Sequence, residues 1–245
     1  MVMPKRIVFD GSQRSQEINL ANTGSDTATY AISFIQYKMT EDGNFKEVTE
    51  PEDGQRFATE YLRYYPRRVS LAPNEAQTVR VQLTRTGDLE QGEYRSHVYF
   101  RAIEEQSALG LEAEEEAEGI SIQIKTVFGI SIPVIIRHGE STTSLSIENL
   151  QLDKTAEVPQ LSMSLQRKGN MSVYGDLEVI HKSKDGKTIQ VGQVKGISVY
   201  TPNAFRNFTL PLYNSEGVDL KSGNLKVTYT SESGEVLAVK EISLD

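Results

Sequence analysis

Residues 119–137 read GISIQIKTVFGISIPVIIR, and the apolar side chains fall on even positions: Ile120, Ile122, Ile124, Phe128, Ile130, Ile132, Val134 and Ile136. Only Thr126 interrupts the series. Alternation with a period of two places these side chains on one face of a β-strand. At about 3.3 Å per residue the run would extend roughly 55–60 Å, well beyond the usual strand of about 3–10 residues. One small sandwich does not need a strand of that length. Part of the apolar row is therefore expected to lack a partner within its own chain. An apolar strand edge left open is either an aggregation hazard or a place where another strand adds.

The rest of the chain supports an all-β reading. Turn signals recur at Asn22-Thr23-Gly24, Glu41-Asp42-Gly43-Asn44, Pro73-Asn74, Lys184-Asp185-Gly186-Lys187 and Glu232-Ser233-Gly234-Glu235. Short alternating segments lie between them, at residues 29–37, 78–83, 97–103, 175–181 and 225–230. Strands at such spacing, separated by polar turns, predict β-sandwiches. Residues 64–73, YYPRRVSLAP, carry two prolines and predict an edge strand running into a turn, because proline cannot donate to a central ladder. The polar stretch 137–144, RHGESTTS, predicts a boundary between a first domain at 1–138 and a second at 139–245. The acidic stretch 107–119, SALGLEAEEEAEG, reads as a mobile loop leading into the long strand.

Composition narrows the function. The chain has 245 residues and a formal net charge of −8, and its densest charge cluster is acidic, which disfavours nucleic-acid binding. It has no cysteine, so disulfides, thiol chemistry and cysteine-bound metals are excluded. His97, His138 and His181 lack metal-ligand spacing. There is no phosphate-binding loop, dinucleotide fingerprint or nucleophile elbow, and no carboxylate pair stands out. A non-enzymatic protein without cofactor or metal is expected. The start of the chain, MVMPKRIVFDG, has no apolar signal core, so a secreted form would have its signal peptide removed. Arg80 and Arg95 are candidates for cross-strand pairing with Glu93 or Asp88.

Several motifs occur in a recognisable order. Lys5-Arg6-Ile7-Val8-Phe9-Asp10-Gly11 is followed by Ile18-Asn19-Leu20-Ala21-Asn22, Tyr30, Pro66-Arg67-Arg68-Val69-Ser70-Leu71-Ala72-Pro73 and Thr78-Val79-Arg80-Val81. Residues 93–100 and the long strand complete the series. Over residues 4–138 the chain resembles the amino-terminal domain of PapD-like periplasmic chaperones of the chaperone–usher pilus pathway. Residues 139–245 are similar to the second domain of that family mainly in size and strand pattern.

The resemblance implies two immunoglobulin-like β-sandwich domains arranged at an angle. It also implies a periplasmic chaperone that lends a strand to an incomplete pilin-like subunit and delivers it to an outer-membrane usher. The matching donor residues are Ile120, Ile122, Ile124 and Phe128. Arg6 matches the arginine that anchors the subunit's terminal carboxylate, a role that suits a guanidinium's paired donors. The lysine expected as the second anchor falls at Pro133. Lys125, the strand's one lysine, lies eight residues away. Self-association through the long strand is a further expectation. The residues also leave open an adhesive immunoglobulin-like surface protein that uses the strand internally, and a ligand-binding sandwich. Exposed aromatics among Tyr61, Tyr64 and Tyr65 would mark the latter.

Overall fold

A computed structural model describes residues 1–103, 129–213 and 217–244. The described residues contain eighteen strands and no α-helix. They form two compact units. The first comprises Met1–Gln36, Arg56–Leu89 and Tyr94–Arg137, and the second Tyr37–Gln55, Glu90–Glu93 and His138–Asp245.

The first unit is a sandwich of two sheets. One has the order β1 (Val2–Met3), β3 (Ser15–Ala21), β9 (Ala76–Leu83), β7 (Leu62–Tyr65). The other runs β2 (Ile7–Phe9), β11 (Gly129–His138), β10 (Gly92–Ile103), β4 (Ala28–Ile35), β8 (Arg68–Leu71). The chain start thus serves both sheets: β1 pairs antiparallel with β3, and β2 pairs parallel with β11. The proline-flanked stretch does the same, with β7 at the edge of one sheet and β8 at the edge of the other. Pro66 lies at the crossover between them, where no ladder needs its missing amide. Ile7, Phe9, Ile18, Val79, Val81, Val98, Phe100, Val134 and Ile136 fill the core. Fully burying each such side chain contributes about 1.5–3 kcal/mol.

The second unit has its own core, built around Ile147, Leu161, Leu165, Leu177, Val179, Val227 and Tyr229. One sheet has the order β12 (Ser144–Asp153), β13 (Gln160–Lys168), β16 (Phe205–Pro211). The other has the order β15 (Thr188–Val199), β14 (Val173–Lys182), β17 (Asn224–Ser231), β18 (Val236–Ser243). The hairpin β5 (Tyr37–Met39) and β6 (Phe45–Glu47) belongs to this unit by position. Asn207 N donates to Glu41 O at 2.7 Å and Asn203 Nδ2 to Met39 O at 3.0 Å, which fixes the hairpin against β16.

The predicted turns fall where strands reverse. Gly43, Gly186 and Gly234 have φ of 87°, 87° and 86°, the left-handed region that glycine enters at least cost. Asn74, in the β8–β9 turn, has φ 61°.

Candidate functional site

The candidate site is the edge of the five-stranded sheet where β2 and β11 meet. Val134, Ile135 and Ile136 pair with Ile7, Val8 and Phe9. Alternation then sorts the side chains. Val134 and Ile136 join the core with Ile7 and Phe9, and Ile135 and Val8 point to the opposite face. Gln16 Nε2 donates to Val8 O at 2.6 Å and secures β2 from the neighbouring sheet.

Because β2 covers only residues 134–136, its pairing stops short. Among the described residues, no strand lies beside residues 129–133 on the β2 side of β11. Burial along the row changes at the same place. Ile132, Val134 and Ile136 are buried, whereas Ile130 is 43% exposed. The row therefore completes the sandwich from Ile132 onward. Ile130 stands out because the strand runs past the point where the sandwich can cover it. Gly129, the first described residue of β11, lies so close to the Tyr99 ring that an added Cβ would approach it to 2.3 Å.

Arg6 is half-buried and immediately precedes β2. One step back along the parallel register sets Arg6 against Pro133, the position where the resemblance calls for a lysine. One step beyond the other end sets Asp10 against Arg137. Ser12 donates its hydroxyl at 2.6 Å and its amide at 3.0 Å to Asp10 Oδ1. These bonds, aided by the Arg137 charge, hold the Asp10 carboxyl below its ordinary range. Ile120, Ile122, Ile124, Lys125 and Phe128 lie outside the described residues, as does the acidic stretch 107–119.

On β10, Tyr94, Val98 and Phe100 face the core, which puts Arg95 and His97 on the other face. Both are buried. Burial, reinforced by the Arg95 charge, pushes the His97 imidazole down to about 3.

The partner of Arg80 differs from those the sequence suggested. Arg80 Nη2 meets Glu17 Oε1 of β3 at 3.2 Å. Glu93, 4% exposed, accepts from Ser172 N at 3.0 Å and Ser172 Oγ at 2.6 Å, and from Thr201 Oγ1 at 3.3 Å. The buried Arg167 lies near this carboxylate; burial lowers its pKa and Glu93 opposes the shift. Sequence reasoning passed over Glu17, Ser172 and Thr201, because nothing local marks partners 63, 79 and 108 positions away. Of the three tyrosines, Tyr61 packs edge-on against Tyr94 and Tyr64 against Phe34, and only Tyr65 is widely exposed, at 78%. Of the histidines, His138 is exposed, and His181 is buried with Nε2 2.9 Å from Ser222 O.

No family model and no curated protein matches the chain. Among solved structures, this chain is similar over its whole length to chaperone–usher pilus chaperones. The YadV chaperone is 12% identical with a TM-score of 0.48, the match covering 100% of this chain and 98% of that one. The CupB2 chaperone of Pseudomonas aeruginosa is 13% identical with a TM-score of 0.47 and covers 100% of both chains. The third comes from the CsuC–CsuE chaperone–tip adhesion subunit pre-assembly complex of the archaic chaperone-usher Csu pili of Acinetobacter baumannii. It is 12% identical with a TM-score of 0.47, over 99% of this chain and 96% of that one.

Proposed function

We propose that this protein is a non-enzymatic periplasmic chaperone that holds a pilin-like secreted subunit by lending it a strand, and passes it to an outer-membrane usher by strand exchange. The observation that carries the reading is that, among the described residues, no strand covers residues 129–133 on the β2 side of β11, with Ile130 exposed at the end of a buried row. The sequence continues that even-numbered row upstream through Phe128, Ile124, Ile122 and Ile120. Backbone donors and acceptors on an open edge give a second strand its register, and alternate apolar side chains fill its groove. Each side chain buried in a partner adds about 1.5–3 kcal/mol, which makes holding a client possible without ATP.

Arg6 is the carboxylate anchor in this reading. Its place beside Pro133 makes the anchor a single cation here, since proline contributes neither charge nor donor. The reading is tested by co-expressing the chain with a candidate subunit encoded beside it. The double variant Ile122→Asp, Ile124→Asp should fold yet lose the subunit to degradation, and Arg6→Ala should weaken capture. A folded double variant that still protects the subunit would sink the strand-donation reading. Unchanged capture by Arg6→Ala would remove the anchor alone.

A further inference from the structure

The sheet β1-β3-β9-β7 turns its outer face away from the core, and that face carries a groove of 470 Å³. The volume is in the range of small-molecule sites, about 300–1,000 Å³. Strand pairing sets its residues in rungs. Glu17, Arg80 and Tyr65 lie side by side across β3, β9 and β7, and Gln82 and Arg63 form the next rung. Alternation puts all five on the outer face, opposite the buried Ile18, Val79, Val81 and Leu62.

Two features give this groove a ligand chemistry. The first is cationic. Arg63 and Arg80 are diagonal neighbours, about 7–8 Å apart at that register. Each guanidinium is steadied through one nitrogen, Arg63 Nη1 by Leu62 O at 2.8 Å and Arg80 Nη2 by Glu17 Oε1 at 3.2 Å. A guanidinium held in this way still presents further donors in a planar fork, the geometry that fits a carboxylate. The second is a flat apolar wall, the Tyr65 ring, exposed at the sheet edge. Gln77, Gln82 and Thr78 line the groove beside it and supply amide and hydroxyl groups.

From this combination we infer that the groove binds an anionic oligosaccharide, a chain of uronic acids whose carboxylates meet Arg63 and Arg80 while a sugar ring lies on Tyr65. The lining joins the apolar surface of its tyrosines and Pro66 to the charged ends of Glu17, Arg63 and Arg80, whereas the centre of a protein interface is depleted of charge. The site stands apart from Arg6 and the β11 edge, so it does not depend on the chaperone reading.

The probe is a purified oligogalacturonate, with a neutral maltooligosaccharide of equal length as its control, titrated into the full chain by calorimetry. Oligogalacturonate should bind, more weakly as salt rises, and the neutral chain should not. Tyr65→Ala, Arg63→Gln and Arg80→Gln should each weaken binding by about tenfold or more. All three residues lie on the exposed face, so unchanged circular dichroism verifies that the variants fold. Absence of binding, equal binding of the neutral chain, or wild-type affinity in the folded variants would each overturn the inference. So would a protein partner lost in Tyr65→Ala when oligogalacturonate has no effect.

Discussion

His97 is a titratable side chain held where its charged form is disfavoured, by burial first and by Arg95 second. Its folded pKa is about 3 against an ordinary value of 6.5. Above pH 6.5 both folded and unfolded states carry neutral imidazole, and the residue has no effect on stability. As the pH falls below 6.5 the unfolded chain takes up a proton that the folded chain refuses, and stability is lost until about pH 3. The loss approaches about 1.4 kcal/mol per pH unit, or about 2 kcal/mol between pH 7 and pH 5. Urea unfolding at those two values should therefore show His97→Gln losing about 2 kcal/mol less than the parent protein over the interval. An equal loss in both proteins would mean that His97 is protonated in the folded state. The sequence placed this residue in a strand but held no sign of its burial. Alternation tells which face of β10 it occupies, and covering of that face depends on elements remote in sequence.

At the scale of elements, the β5–β6 hairpin depends on one turn residue. Gly43 has φ 87°, and a Cβ there would come within 2.2 Å of the Arg206 guanidinium. That guanidinium donates through Nη1 to Ser198 O at 2.9 Å, and moving aside would strain this bond. Gly43→Ala meets both the left-handed backbone penalty and this crowding, and should cost about 1–2 kcal/mol in denaturant unfolding. Gly186→Ala serves as the comparison, because its φ is also 87° and nothing lies within 4 Å of its added Cβ. The Gly43 variant should lose more; equal losses would assign the whole effect to the backbone. The turns at Gly43, Gly186 and Gly234 were legible because a positive φ is a local demand answered by a local residue. The split of β7 and β8 between two sheets was legible only as an edge, through the prolines. That β2 would run parallel to β11, placing Arg6 beside Pro133 and Asp10 beside Arg137, had no local cause. Those pairings are set by core-facing residues more than 120 positions apart.

At the scale of the whole molecule, the open edge of β11 competes with net charge. Among the described residues, no strand lies beside residues 129–133 on the β2 side, and Ile130 is exposed there. Such an edge seeks a partner, and in the free protein the most abundant candidate is a second copy. Each copy carries a net charge of −8, so two copies repel. The repulsion is screened beyond about 10 Å at 0.1 M salt, whereas strand pairing and apolar contact are not. Dimerisation of the free protein should therefore strengthen as salt rises, opposite to an association driven by opposite charges. Sedimentation velocity across a salt series measures this. Ile130→Lys should shift the population towards monomer at every salt concentration, because it puts a cation into the strand pair and removes its exposed apolar contact. Val239→Lys is the control for added charge, since Val239 is comparably exposed, at 49%, but lies on β18 of the second unit. If both variants shift the equilibrium equally, lysine acts through net charge and the β11 edge is not the contact. If only Ile130→Lys does, the free protein covers its β11 edge with a second copy, and any strand that adds there must displace that copy.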